Sequence, residues 1–215
     1  MIGIGIPAHN EAALLGRCLQ SVRRCAAHCA LAGEAVVVVV ALDSCTDSSA
    51  AVCAAHGVET IAVDVRNVGI ARATAAAHLL QRGARWIACT DADSMVAPDW
   101  LAVQLAWEAD AVCGTVCVDD WRDWPSATRA AFERGYHDAD RHRHVHGANL
   151  GVSAAAYVRA GGFPPLACSE DVALVDALVS TGSNVVWSAA LRVVTSGRRV
   201  ARARGGFAAT LAQLA

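Results

Sequence analysis

Short apolar runs alternate with amphipathic segments along most of this chain. The runs cover residues 2–6, 35–42, 60–63, 86–90 and 111–118. Each run has the length of a β-strand, and the second is continuous and mostly β-branched, which is typical of a strand buried on both faces. Two further short strands are predicted at Val185–Trp187 and Leu191–Thr195. The pattern therefore predicts a buried central sheet.

The segments between these runs have the spacing of amphipathic helices. Leu15, Cys18 and Val22 recur on one helical face after Asn10, which we expect to cap that helix. Further helices are predicted to end near residues 56, 82, 108, 136 and 178. Strands and helices alternate at about 25 to 30 residues per unit, which predicts a single α/β domain with a mostly parallel sheet and helices on both faces.

Composition narrows the class of protein. Of the 215 residues, 55% are hydrophobic and 18% are charged, which favours a folded chain with a sizeable core. The formal net charge of −2 lacks the positive excess that is typical of nucleic-acid-binding domains. All 18 basic side chains are Arg, so every catalytic scheme that needs a Lys is excluded.

We expect neither a membrane segment nor a signal peptide. The longest strongly apolar run, residues 35–42, is far shorter than the roughly 20 residues that span a bilayer. Polar residues 9–11 come too early for a signal peptide. Nine cysteines, an odd number, favour buried thiols in a reducing cytoplasm. A metal clip at Cys25 and Cys29, with His28 between them, is the alternative, but zinc sites usually have tighter spacing.

Two carboxylates follow the run at residues 86–90. Asp91 and Asp93 would emerge where the carboxyl end of a parallel strand opens onto the ligand crevice. Their mutual repulsion would be relieved by Mg²⁺, which takes one or two carboxylates together with substrate oxygens. The alternative is a solvated loop in which an Asp caps a helix.

Other polar groups lie at the ends of predicted elements. Asp43 ends the run at residues 35–42, and Glu170 and Asp171 precede the helix that ends near residue 178. Helix capping is the alternative role for these carboxylates. The histidine-rich segment at residues 137–146 invites a metal site, but we expect it to be a solvated, partly mobile surface segment. His146 is the exception, because it directly precedes residues 147–151, which have the pattern of a loop that enters a strand.

Five short motifs follow one another at plausible spacing. They are Ile6-Pro7-Ala8-His9-Asn10-Glu11, Asp43 after the Val-rich strand, Asn67-Val68-Gly69-Ile70-Ala71-Arg72, Thr90-Asp91-Ala92-Asp93, and Gly161-Gly162-Phe163 leading to Glu170-Asp171. In this order they resemble the family 2 glycosyltransferases, which have the Rossmann-like GT-A fold. The resemblance covers about residues 2–195 and implies one domain, with a nucleotide-sugar-binding half at 1–95, an acceptor-side half at 96–195 and an Arg-rich tail at 196–215.

The resemblance also implies roles for particular residues. A nucleoside-diphosphate sugar, most simply a UDP-sugar, would be bound by Pro7, His9, Glu11, Asp43, Asn67, Arg72 and Asp91. Asp93, with help from Asp91, would hold Mg²⁺ or Mn²⁺ against the diphosphate. Asp171 would be the general base for an acceptor hydroxyl beside Glu170, and inversion at the sugar follows from the family.

The sequence departs from the family pattern in two places. The turn after Asp43 lacks the common acidic-acidic-Gly-Ser form. No histidine lies at residues 195–198, where many GT-A enzymes have a further metal ligand; Ser196 and Arg198 stand there, and Arg198 could contact phosphate directly.

Two other classes of protein remain open. A nucleotidyltransferase shares a similar sheet, but it usually opens with a glycine-rich loop ending in Arg and Lys, which this chain lacks. A non-catalytic sugar-nucleotide-binding protein is the other alternative. We expect an acceptor that presents a hydroxyl group: a small molecule, a lipid-linked molecule or a polysaccharide precursor. A monomer and a homodimer are both compatible with the sequence.

Overall fold

The computed structural model describes residues 1–118, 120–202 and 205–215. Within them, one seven-stranded sheet has the strand order β3-β2-β1-β4-β6-β5-β7. Its strands are β1 (Ile2–Ala8), β2 (Val36–Asp43), β3 (Glu59–Val63), β4 (Trp86–Cys89), β5 (Ala111–Val118), β6 (Leu150–Ser153) and β7 (Val185–Thr195). Strand β6 is antiparallel to its neighbours β4 and β5, and the other neighbouring strands pair in parallel.

Helices cover both faces of this sheet. They are α1 (Ala12–Ala26), α2 (Ser49–His56), α3 (Val68–Gln81), α4 (Trp100–Ala106), α5 (Ser126–Gly135), α6 (Ala154–Arg159), α7 (Glu170–Ser180) and α8 (Phe207–Ala212). Helices α1, α2 and α4 bury their apolar side chains in one core, and α3, α6 and α7 do so in another on the opposite face. The predicted α/β class, with a mostly parallel sheet covered on both faces, is confirmed.

Strand β7 is continuous where the sequence predicted two strands. The register against β5 shifts between Gly114 and Thr115, whose partners on β7 are Ser188 and Arg192. Asp140 holds the irregular part, since its Oδ1 accepts hydrogen bonds from the Ser188 hydroxyl and the Ala189 amide at 3.2 and 2.9 Å. A bulge inserts residues without ending the strand, which is why the apolar pattern breaks and resumes.

The predicted capping of α1 by Asn10 is wrong. Asn10 has a left-handed backbone (φ 54°), and its side-chain oxygen accepts hydrogen bonds from the amides of Thr46 and Asp47 at 2.7 and 3.2 Å. The Ala12 amide at the start of α1 donates instead to Asp47 Oδ2, at 2.9 Å. The loops after β1 and β2 therefore hold each other at the edge of the sheet where both strands end.

The end of the chain packs against the domain. In helix α8, Leu211 is fully buried and shares a small apolar cluster with Trp124 and Phe132. The Phe207 ring meets the Phe132 ring edge-on, with centroids 5.8 Å apart. No helix in the described residues is both long enough and apolar enough to cross a bilayer.

Candidate active site

A cavity of about 720 Å³ opens at the carboxyl ends of strands β1, β2 and β4. All eleven residues that the sequence proposed for the site line it: Pro7, His9, Glu11, Asp43, Asn67, Arg72, Asp91, Asp93, Glu170, Asp171 and Arg198. Because β6 runs in the opposite direction, the residues that precede it reach the same edge of the sheet. The structure thus gathers every proposed side chain in one place, while their individual roles stay predictions.

Asp43 organises the loop that follows β3. Its Oδ1 accepts hydrogen bonds from the amides of Val65 and Arg66, both at 2.9 Å, and its Oδ2 accepts one from the Asn67 amide at 2.7 Å. Burial alone would raise the pKa of Asp43, but these backbone donors hold the pKa below its usual value. Asp43 is therefore a fixed carboxylate at the cavity wall.

His9 joins the ends of β1 and β2. Its Nδ1 lies 2.7 Å from the Asp43 carbonyl oxygen, and its Nε2 lies 3.2 Å from Nη2 of Arg66. A guanidinium can only donate, so Nε2 accepts and Nδ1 carries the proton. The sequence analysis missed Arg66, which lines the cavity and has a left-handed backbone (φ 48°).

Asn67 links the start of α3 to the loop before α7. Its side-chain oxygen caps α3 by accepting from the Ile70 amide at 3.1 Å, and its amide group donates to the Pro165 carbonyl, also at 3.1 Å. The Gly69 amide donates to the Leu166 carbonyl at 3.0 Å. The start of α3 therefore positions a loop that is about 100 residues further along the chain.

Arg72 connects the two acidic motifs. Its Nε donates to Glu170 Oε1 at 2.8 Å, and its Nη2 donates to Asp91 Oδ1 at 2.5 Å. Burial alone would lower the pKa of Arg72, but these carboxylates hold it above its usual value. Nη1 is buried without a partner among the described residues. Gly147 leaves room for the guanidinium, since a Cβ there would lie 2.3 Å from Nη2.

Asp93 and Glu11 share one guanidinium. Arg198 Nη1 donates to both Glu11 oxygens at 2.7 and 2.8 Å, and its Nη2 lies 2.9 Å from Asp93 Oδ2. Burial raises the pKa of Asp93 to about 6; Arg198 opposes the shift, while Asp91 and Glu11 add to it. Burial also raises the pKa of Glu11, again opposed by Arg198.

Asp171 lies at the first turn of α7. Its Oδ2 accepts a hydrogen bond from the Gly147 amide at 2.6 Å, and its Oδ1 accepts one from the Val172 amide at 2.9 Å. Ser169 occupies the N-cap position in a left-handed conformation (φ 61°) and makes no side-chain capping bond. The Asp171 carboxylate is therefore oriented by backbone donors from two segments at the cavity wall.

The expectation of a solvated histidine segment is wrong for two of its histidines, His142 and His144. His142 is only 1% exposed, and His144 and His146 are half-buried. The His144 ring stacks on Tyr136 with centroids 4.1 Å apart, and His146 Nε2 lies 2.8 Å from the Tyr136 hydroxyl. Burial lowers the pKa of His146 to about 4. These histidines are thus packed, neutral groups.

Aromatic rings form one wall of the cavity. Phe132, Tyr136, His144, His146 and Phe207 all line it. This wall adjoins the carboxylate of Asp171, because His146 directly precedes Gly147, whose amide donates a hydrogen bond to Asp171. The sequence analysis did not assign Phe132 or Phe207 to the site. The four-residue spacing between Phe132 and Tyr136 was a usable signal, because it places these two rings on one face of a helix.

The carboxylates of the cavity suit a divalent cation whose remaining ligands are phosphate oxygens. No group of three or more His, Cys, Asp or Glu side chains suited to a metal occurs among the described residues. Asp91 and Asp93 nevertheless offer the hard oxygen ligands that Mg²⁺ takes along with substrate oxygens. Six carboxylates and four guanidinium groups line the cavity in the described chain, so an anionic donor would meet a surplus of negative charge. A divalent cation would offset that surplus.

A mostly parallel sheet with one reversed strand and helices on both faces is the arrangement of the GT-A fold. Solved structures share this fold. S. aureus TarS 1–349 in complex with UDP-GlcNAc superposes with a TM-score of 0.67 at 14% identity, over 94% of this chain and 60% of that one. The Pyrobaculum calidifontis mannosyltransferase PcManGT, with GDP-Man and Mn²⁺, gives 0.66 at 20% identity, over 92% and 57%. GalNAc-T7 with UDP, GalNAc and Mn²⁺ gives 0.69 at 16% identity, over 92% and 44%.

The chain belongs to glycosyl transferase family 2, whose sequence profile matches residues 4–159. The resemblance inferred from the sequence motifs is confirmed at the level of family and fold. No curated protein sequence matches the chain significantly. The chain spans about 60% of the length of the TarS fragment.

Proposed function

We propose that this protein transfers a sugar from a nucleoside-diphosphate sugar, with UDP as the first candidate nucleotide, to an acceptor hydroxyl with inversion. The observation that carries the proposal is that the carboxylates proposed for the donor side and those proposed for the acceptor side line one cavity. Arg72 bridges the two sides through Asp91 and Glu170. The family assignment favours sugar transfer over the nucleotidyltransferase alternative.

On the donor side, the base and ribose would lie against Pro7, His9 and Glu11, with Asp43 accepting a hydrogen bond from the base. The fixed orientation of Asp43 supports this role, because a preorganised acceptor needs no rearrangement on binding. Asn67 and Arg72 would line the donor side, and Arg198 would contact the diphosphate.

Asp93 and Asp91 would hold Mg²⁺ or Mn²⁺. When bound, the metal stabilises the negative charge that develops on the departing diphosphate. The charge surplus of the cavity supports a cation there. The Mn²⁺-bound structures of PcManGT and GalNAc-T7 agree with metal use among proteins of this fold.

On the acceptor side, Asp171 would take the proton of the attacking hydroxyl. The amides of Gly147 and Val172 orient its carboxylate, and a base must lie within hydrogen-bond reach of the proton it accepts. The neighbouring wall of aromatic rings would contact the body of the acceptor through apolar surface.

A panel of UDP-, GDP-, dTDP- and ADP-sugars with Mn²⁺ tests the proposal through the products released. Slow release of a free nucleoside diphosphate is expected with the cognate donor even without an acceptor. Pyrophosphate formation or consumption would instead indicate a nucleotidyltransferase. Binding without any release would leave a sugar-nucleotide-binding protein. The Asp93→Ala variant measures spontaneous donor breakdown in the same assay.

Replacing Asp43 by Ala is expected to weaken nucleoside diphosphate binding by about tenfold or more. That is the scale of a lost charge-assisted hydrogen bond, about 1.5–3 kcal/mol. Calorimetry with the nucleotide found in the panel measures the change. The control is Asp64→Ala, an exposed carboxylate whose Oδ1 accepts only the Ser44 hydroxyl among the described residues, at 2.8 Å. Equal affinity of Asp43→Ala and wild type would remove Asp43 from the nucleotide site.

A further inference from the structure

Arg198 forms an ion pair with Asp93, the carboxylate proposed as the metal ligand. Its Nη2 lies 2.9 Å from Asp93 Oδ2, while its Nη1 binds both oxygens of Glu11 at 2.7 and 2.8 Å. One guanidinium thus joins the N-terminus of α1 to the loop after β4. A divalent cation approaching Asp93 Oδ2 and this guanidinium would compete for the same lone pairs.

The two carboxylates need a cation even when no metal is present. The side chains of Glu11 and Asp93 are only 7% and 11% exposed, and buried carboxylates that lie close together repel each other strongly. Arg202 does not replace Arg198, because its Nε is 4.0 Å from Glu11 and its side chain is 48% exposed. Arg198 is therefore the cation that stabilises this pair in the free protein.

The Arg198 side chain can leave Asp93 without a change of fold. It lies in the irregular segment between β7 and α8, and it is 27% exposed and lines the cavity. The backbone beside it is anchored, because the Trp124 indole donates to the Gly197 carbonyl oxygen. A Cβ on Gly197 would lie 2.1 Å from the Asp120 carbonyl oxygen, so the segment is closely packed. Rotation of the side chain alone moves the guanidinium.

We propose that the Arg198 guanidinium blocks metal binding at the Asp93 carboxylate in the free protein. When the donor binds, the guanidinium moves from Asp93 to the diphosphate. This rests on the proposed function. A guanidinium binds phosphate oxygens with two parallel hydrogen bonds, so the diphosphate is a strong competitor for it. Once Arg198 moves, Asp93 is open to the metal. Nucleotide and metal binding are thereby coupled through one side chain, and such coupling is reciprocal.

The test measures Mn²⁺ binding by electron paramagnetic resonance, with and without UDP, for the wild type and Arg198→Gln. Without nucleotide, Arg198→Gln is expected to bind Mn²⁺ about tenfold more tightly than the wild type, within the usual range of such couplings. The factor by which UDP tightens Mn²⁺ binding should shrink in this variant. Its affinity for UDP alone, measured by calorimetry, should fall.

Arg202→Gln is the matched control, because it removes one positive charge beside Glu11 without touching Asp93. Its Mn²⁺ affinity should stay close to that of the wild type. Arg198→Lys keeps the charge and should bind Mn²⁺ less tightly than Arg198→Gln, which gives a second comparison if the Gln variant folds poorly.

Equal Mn²⁺ affinities of nucleotide-free wild type and Arg198→Gln would overturn the inference. So would an equal gain in Arg198→Gln and Arg202→Gln, since that would be an effect of net charge alone. If no nucleoside diphosphate binds the wild type, the proposed function fails, but competition between Arg198 and Mn²⁺ in the free protein is still decided by the first comparison.

Discussion

Asp93→Ala is expected to abolish sugar transfer while leaving the fold intact. Among the described residues, the Asp93 carboxylate contacts Arg198 and the Ser94 hydroxyl, and it accepts no backbone hydrogen bond. Removing it leaves Arg198 paired with Glu11, so no buried positive charge is stranded. A catalytic metal supplies several kcal/mol of charge stabilisation, so its loss should lower the rate on the order of 10³-fold or more.

Two measurements separate this outcome from a general loss of structure. Nucleoside diphosphate binding by Asp93→Ala should become insensitive to Mn²⁺, while its thermal unfolding should resemble that of the wild type. Asp123→Ala is a suitable control, because Asp123 lies with Asp93 along a smaller neighbouring groove but outside the main cavity. Full turnover by Asp93→Ala with the cognate donor would remove Asp93 from the mechanism.

The sequence alone was sufficient to predict the class of the sheet and the sheet edge at which the proposed residues meet. Strands such as Ala111–Val118 are apolar runs bounded by polar turns, so local periodicity predicts them. Carboxylates placed directly after such runs, as Asp43 and Asp91 are, necessarily reach the carboxyl edge of a parallel sheet. The convergence of the proposed residues on one cavity follows from this rule.

The contacts within the site could not be predicted in this way. Arg198 and Glu11 are separated by 187 positions in the sequence, and Arg72 and Glu170 by 98. Such pairs depend on how strands are ordered in the sheet, which no local pattern records. The same reason explains the error at Asn10, since the cap of α1 comes from a different loop.

The histidine segment shows a different limit of sequence reasoning. Charged and polar neighbours favoured a solvated segment before His146, yet the His144 ring stacks with Tyr136 and the His142 ring stacks with His144. A neutral imidazole is a flat ring that can pack against other rings in the interior. Burial lowers the pKa of a histidine and so favours this neutral form, as it does for His146. A count of polar residues therefore overestimates the exposure of such a segment.

Asp171→Asn is expected to lower the transfer rate by roughly 10²–10⁴, the usual contribution of general base catalysis, while donor affinity stays close to that of the wild type. The amide cannot accept the acceptor's proton. In the wild type, the backbone amides of Gly147 and Val172 donate to the Asp171 carboxylate. The NH₂ group of Asn would face one of these two donors and could not accept its hydrogen bond. A small loss of stability is therefore expected, which a melting curve separates from the loss of rate.

The competing role for Asp171 is purely structural, at the start of helix α7. Asn serves nearly as well as Asp near a helix N-terminus, so a structural role predicts nearly unchanged rates. Asp176→Asn is the matched control, because Asp176 is exposed on the same helix and lies outside the cavity lining. Single-turnover transfer with saturating donor isolates the chemical step from product release. If Asp171→Asn and Asp176→Asn both transfer at the wild-type rate, Asp171 only orders the turn between Gly147 and α7, and the base must be sought elsewhere in the cavity.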